Sequence, residues 1–172
     1  MTKGCEKSPD IRLRLADVEA TLGLGRLLAG SLSPDRPFQC LLMQGGLGAG
    51  KTTLTRGLVE SLPGGDQAEV ASPSFNLLNL YPTRPPVAHF DLYRFEGLNP
   101  DESLLECLDR QDTLLIVEWS EHLPRRFWPA AYLLLRWHEI PEGRMLDISA
   151  VGEYTATFQD RIRCRVDGLR SG

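Results

Sequence analysis

Residues 45 to 52 read Gly-Gly-Leu-Gly-Ala-Gly-Lys-Thr, and no other stretch of the chain restricts its fold and chemistry as tightly. The pattern G-x-x-x-x-G-K-[ST] works through its main chain. Glycines let consecutive N–H groups converge on phosphate oxygens, and the helix N-terminus behind them adds partial positive charge. Such a loop has to lie between a buried strand and a helix, and both are predicted here. Phe38 to Met43 is a short apolar run that feeds into the glycines, and residues 50 to 62 carry Leu54, Leu58 and Leu62 at intervals of four. Gly45, Gly46, Gly48, Ala49, Gly50, Lys51, Thr52 and Thr53 are therefore the candidate phosphate cradle. Lys51 supplies a point charge for the β- and γ-phosphates, and the Thr52 hydroxyl a magnesium ligand. Background frequencies give such a match by chance in roughly one protein of this length in a hundred. The competing reading is an accidental glycine-rich turn, which the flanking elements disfavour. Lys51 is also the only lysine beyond the N-terminal tail, so a chain that otherwise takes its positive charge from Arg keeps a Lys where a cradle needs one.

The remaining pattern extends this strand–loop–helix unit into an α/β fold. Ile11, Leu13 and Leu15 alternate with Arg12 and Arg14, the period of a half-buried strand. Asp17 is a predicted N-cap for a helix whose Val18, Leu22, Leu28 and Leu32 share a face; Gly23 and Gly25 weaken it, and Pro34 and Pro37 mark its end. SPSFNLLNLY, from Ser72 to Tyr81, reads as a loop entering a strand. Val87 to Phe90 and Leu114 to Val117 are apolar runs closed by Asp91 and Glu118, and a helix between them begins near Asp101 with Leu104, Leu105 and Leu108 inward. Tyr132 to Trp137 and Met145 to Val151 suggest a hairpin. Short apolar runs that end in polar residues and alternate with helices predict a P-loop NTPase-type three-layer α/β/α fold, with a mostly parallel sheet and an antiparallel C-terminal hairpin. Ligands of such sheets bind at the carboxyl ends of the strands. The expected organisation is a tail over 1–10, one domain over 11–152 and an extension over 153–172.

Composition narrows the function classes. A formal charge of −4 argues against nucleic-acid affinity drawn from bulk electrostatics, so any contact with RNA is expected to be local or borrowed from a partner. Cys5, Cys40, Cys107 and Cys164 are scattered, without C-x-x-C spacing, which indicates neither zinc nor a redox dithiol. The polar N-terminus lacks a signal-peptide core, and no segment reaches the roughly 18 apolar residues of a membrane span. A cytoplasmic location is the expectation.

P-loop hydrolases need an acid near the metal and a polar group to position water. Asp91 and Glu118 are the candidates, because parallel neighbouring strands would bring both to the phosphate edge; each alone also reads as a solvated acid at a strand end. His89 reads as a switch residue or a hydrogen-bonded structural one. Arg94 could orient Asp91, touch phosphate or form a structural ion pair. Trp119 reads as packing or a partner surface, and Arg125 and Arg126 as a solvated pair unless they fold back as arginine fingers.

Taken together, GGLGAGKTT, SPSF at Ser72 to Phe75, HFDLYR at His89 to Arg94 and VEW at Val117 to Trp119, in this order and spacing, resemble the TsaE family, also called YjeE. The resemblance runs from about Asp17 to Gly152. It implies an ATPase that supports formation of N6-threonylcarbamoyladenosine at position 37 of tRNA, working with TsaD- and TsaB-type subunits and meeting tRNA only through that complex. It further implies that ATP or ADP and Mg2+ are bound by Lys51, Thr52 and Thr53, that Glu118 belongs to the magnesium shell, and that Asp91 acts in a switch segment. SPSF, with Ser72 and Ser74, resembles the family's first switch, while Asp17 and the turn at Gly143 and Arg144 correspond to places that lodge the nucleoside. The family's loop usually reads GDLGAGKT, so Gly46 stands where an Asp is common. Phosphate binding through main-chain N–H groups survives that change, whereas any metal-water or partner contact of the Asp does not.

Two other classes compete. A small-molecule P-loop kinase would need an Arg-rich lid, for which only RFEGLNPDE offers a candidate, and a nucleotide-dependent binding module would lack hydrolysis.

Overall fold

The structure is a computed structural model that describes residues 10–32, 39–95, 99–152 and 162. Pro34 and Pro37, most of the N-terminal tail, part of the RFEGLNPDE stretch and all of the C-terminal extension but Ile162 lie outside the described residues. Seven strands run as β1 (Ile11–Leu15), β2 (Cys40–Gln44), β3 (Leu78–Tyr81), β4 (Val87–Asp91), β5 (Leu114–Glu118), β6 (Tyr132–Glu139) and β7 (Arg144–Val151). They are interleaved with α1 (Val18–Ala29), α2 (Lys51–Glu60) and α3 (Glu102–Asp109).

All strands join one sheet in the order β1-β7-β6-β2-β5-β4-β3. Its centre, β6-β2-β5-β4, is parallel, and the strands outside it pair antiparallel. The expected hairpin is β6–β7, but its first strand also extends the parallel core by pairing with β2. Two buried clusters cover the two faces. On one, α1 and α2 pack Leu24, Leu28, Leu54 and Leu58 against Leu41, Met43, Ile116 and Leu135. On the other, Leu104 and Cys107 of α3 meet Leu42, Phe90 and Val117. The result is the three-layer arrangement read from the alternation of strands and helices. Among the described residues, no helix is long and apolar enough to cross a membrane.

The helices depart from the sequence reading in which side they bury. Asp17 does cap α1, accepting a hydrogen bond from the Ala20 N–H at 2.8 Å. Val18, expected inward, is exposed, and the buried face is instead Thr21, Leu24, Gly25, Leu28 and Ala29. The reason is Gly25. A Cβ there would collide with the Leu54 carbonyl, and one at Gly57 of α2 with the Leu22 carbonyl. Each helix thus offers a glycine to the other's main chain, and the loss of helix propensity is the cost of this close approach. In α3, Leu104 and Cys107 point inward while Leu105 is exposed. The α1–α2 contact fixes the start of α2, and with it the loop, against the carboxyl edge of the sheet.

Candidate functional site

The loop after β2 takes main-chain angles that only glycine adopts without strain. Gly48 and Gly50 have φ of 73° and 110°, in the left-handed region. Gly45 is constrained by space as well, since a Cβ there would lie 2.8 Å from the Trp137 Cβ; the indole on β6 is the floor on which the loop rests. Gly50 precedes α2 and caps it with no side chain. The first N–H groups of α2 therefore face the loop unmet by a side-chain acceptor, the arrangement suited to an anion.

Lys51 is buried and folds back over this loop. Its ammonium donates to the Gly45 and Gly46 carbonyls at 2.7 and 2.9 Å and lies 4.0 Å from the centre of the Trp119 ring. Burial pulls its pKa down, against the attraction of Glu118, Glu121 and Asp91. Trp119, which the sequence reads as packing or a partner surface, is held in the left-handed region at φ 57°; Tyr93 and His122 lie against its ring at centroid distances of 4.9 and 5.7 Å. A non-glycine residue in that conformation beside a charged group marks a place where local strain is tolerated for positioning.

The two acids arrive as the strand ends predict. Asp91 and Glu118 are register partners on parallel β4 and β5, and both are buried. Glu118 Oε1 accepts from the Thr52 hydroxyl at 2.9 Å and lies 2.9 Å from His89 Nε2. Asp91 accepts from the Ser72 hydroxyl at 2.6 Å and the Tyr93 N–H at 2.8 Å. Ser72, from the SPSF stretch, is thereby tied to the end of β4. An open cleft of about 480 Å3 brings together Gly48, Ala49, Gly50, Lys51, Thr52, Thr53, Asp91 and Glu118 with Ser72, Ser74, Arg94 and Trp119.

Asp17 and Arg144 lie elsewhere, in an adjoining cavity of about 240 Å3 that shares Gly48, Ala49, Gly50 and Thr53 with the cleft. Thr21 and Gly143 also line it, and the Arg144 guanidinium donates to the Gly48 carbonyl at 3.3 Å. Gly45 and Gly46 contribute carbonyls to Lys51 and do not line the cleft. Arg94 stacks on Phe75 at 4.5 Å. Arg125 and Arg126 are exposed, as a solvated pair would be, and lie over Trp128 and Phe127 at 3.7 and 4.6 Å outside the cleft, so they are not folded back as fingers. Trp137 had no signal in the sequence beyond an apolar strand position; its role as floor depends on β6 pairing with β2.

The donors in the cleft suit a hard cation. They are hydroxyl and carboxylate oxygens, and Mg2+ is ordinarily held by one or two carboxylates together with phosphates and water. Among the described residues, no group of three or more His, Cys, Asp or Glu could form a separate metal cage. Thr52 and Glu118, already hydrogen-bonded, are the pair placed to hold such an ion.

Residues 15–146 match the family described as threonylcarbamoyl adenosine biosynthesis protein TsaE. Two relatives named tRNA threonylcarbamoyladenosine biosynthesis protein TsaE are similar in sequence. The protein from Nostoc sp. is 38% identical over 130 residues, 71% of this chain and 74% of its own. That from Streptomyces coelicolor is 42% identical over 102 residues, 57% of this chain and 66% of its own. Among solved structures, the crystal structure of YdiB from Bacillus subtilis superposes with a TM-score of 0.69 at 25% identity, over 90% of this chain and 95% of that one. With a family match across most of its length and a glycine-rich loop set at the carboxyl edge of a corresponding fold, this chain belongs to the TsaE family.

Proposed function

We propose that this protein binds ATP with Mg2+ and hydrolyses it, slowly when alone, in support of N6-threonylcarbamoyladenosine formation at position 37 of tRNA, in the cytoplasm and with TsaB- and TsaD-type partners. The observation that carries the chemical part is the convergence of Thr52 and Glu118, 2.9 Å apart, at the mouth of a glycine loop beneath Lys51. The names of the relatives support the biological part.

In this reading the loop N–H groups and the start of α2 hold the phosphates, and Lys51 exchanges its carbonyl partners for phosphate oxygens. That exchange recovers a buried charge with a stronger acceptor. The Thr52 hydroxyl and the Glu118 carboxylate would hold Mg2+, which when bound would supply charge neutralisation at the phosphate oxygens. Asp91 orients the attacking water, and its bond to Ser72 links that task to the position of the SPSF segment. Asp17, Thr53 and Arg144 line the cavity next to the loop, which would receive the nucleoside.

Calorimetry with ADP or ATP, with and without Mg2+, tests the nucleotide site. Turnover measured alone and with TsaB and TsaD homologues tests the assignment, with a rise in turnover and recovery of an ATP-dependent complex as the expected results. No heat of association with any magnesium nucleotide would end the reading. A metabolite that stimulates ATP consumption and emerges phosphorylated would replace it with a kinase.

A further inference from the structure

His89 is wholly buried, and its Nε2 lies 2.9 Å from Glu118 Oε1, the same oxygen that accepts from Thr52. Its other ring nitrogen, Nδ1, is buried with no partner among the described residues. An ionised carboxylate only accepts hydrogen bonds, so the nitrogen facing it has to carry the hydrogen. A hydrogen on Nδ1 would leave a buried donor unmet, whereas a bare lone pair there costs less. Both facts assign the tautomer with hydrogen on Nε2. His89 and Glu118 side chains are on the sheet face that α2 covers, with Ile116 as the register partner of His89 on β5 and the Tyr81 ring 6.3 Å from the imidazole. Two donors thus converge on Oε1, and among the described residues Oε2 receives none.

We infer that His89 is a positioning residue for the metal site: by donating from Nε2 it pins Glu118 Oε1 and turns Oε2 toward the cleft. This rests on the proposed magnesium–nucleotide site and deepens it, assigning to His89 a task beyond that of a switch or a merely structural hydrogen-bonded residue. Partners one bond behind a metal ligand typically set metal affinity by roughly ten- to a hundredfold.

Two substitutions of similar polarity separate the tasks. In His89→Gln the amide N–H reaches the place of Nε2, and in His89→Asn it falls at the place of Nδ1. ADP binding is measured by calorimetry with Mg2+ and with EDTA, alongside the melting temperature of each variant. The expected result is that Asn lowers the Mg2+-dependent gain in ADP affinity by roughly tenfold or more, Gln restores most of it, and metal-free ADP binding stays within about twofold. Equal behaviour of the two variants, or a parallel loss of metal-free binding, would overturn the inference. A long-range proton–nitrogen correlation spectrum of the histidine rings gives an independent check that needs no variant to fold: the hydrogen belongs on Nε2 of His89, and finding it on Nδ1 would also overturn the inference. If the wild-type protein itself gained nothing from Mg2+, the magnesium site would fail and this inference with it; normal Mg2+ dependence with indistinguishable variants would remove only the role of His89.

Discussion

Two carboxylates buried to nearly the same degree sit in the two halves of the sheet, and they are treated in opposite ways. Asp147, in the antiparallel half, is saturated. Arg12 donates to both its oxygens at 2.6 and 2.8 Å, and His138 Nε2 lies 2.9 Å from one of them. Glu118, at the end of the parallel half, has its hydrogen-bonding partners gathered on one oxygen and no guanidinium against it. A buried acid whose charge is met inside the protein ties strands together, and one left partly unmet at a cleft is, in the proposed function, held for a cation from outside. Asp91 belongs with Glu118, since its partners are a hydroxyl and a main-chain N–H.

The largest expected effect breaks this comparison from the functional side. Glu118→Gln keeps shape and burial while removing charge, and ATP turnover should fall by roughly a hundred- to a thousandfold, with folding stability little changed because the buried charge has no guanidinium or ammonium in contact with it. Turnover and denaturant titration on the same sample read both; retained turnover would place Glu118 with Asp147 as a tie. Next is Lys51→Ala, for which calorimetry should show MgADP affinity lower by roughly a hundredfold, the scale of losing two charge-assisted hydrogen bonds. Burial disfavours the Lys51 ammonium in the folded protein while its two carbonyl bonds and the Trp119 contact favour it, so this variant should melt within a few degrees of the parent. A large drop in melting temperature would mean that Lys51 braces the loop rather than waiting for phosphate.

These contrasts also define what the sequence could reveal. Strand ends, the loop and both cleft acids were legible because each depends on local pattern: an apolar run closed by Asp or Glu has few ways to be placed when its neighbours are parallel. The inward face of α1 was not legible. Counting apolar residues put Val18 inside, but a main-chain contact at Gly25 turned the helix, and glycine carries no hydropathy signal for such a contact. Nor could the tie at Asp147 be read, because it needs Arg12 and His138, which come together only when β7 lies between β1 and β6. Likewise Trp137 as loop floor, and His89 as the second donor to Glu118, follow from strand order and not from spacing.

A smaller effect tests the other member of the pair. Hydrogen bonding from Arg12 is the main cause holding the Asp147 pKa below its ordinary value, with His138 assisting and burial opposing. A depressed carboxylate stabilises the fold above its unfolded pKa, near 3.8, and that contribution is lost as pH falls through the lower folded value. Asp147→Asn should therefore cost about 1–2 kcal/mol at pH 7, discounted because Arg12 is more than half exposed, and the gap between variant and parent should narrow progressively as pH falls below about 4. Denaturant melts across that range measure it, and nucleotide binding should stay unchanged. A gap that does not narrow as pH falls below about 4 would show that shape, and not charge, is what Asp147 contributes.

The smallest effect lies where the two halves meet. Glu139, at the end of β6, approaches Gly46 so that a Cβ there would stand 3.2 Å from its carboxylate oxygen. In this chain the acid beside the second loop position therefore comes from the neighbouring strand. Gly46→Asp would set two like charges together at an exposed site, costing about 0.5–1 kcal/mol of stability at low salt, with screening reducing the cost at high salt. Removing one charge with Glu139→Gln in the same molecule should return that stability, which a double-mutant cycle would read as a coupling of the same size. If Gly46→Asp were equally costly with and without Glu139, the penalty would belong to the loop's main chain, and the carboxylate on β6 would have no electrostatic hold on the phosphate cradle.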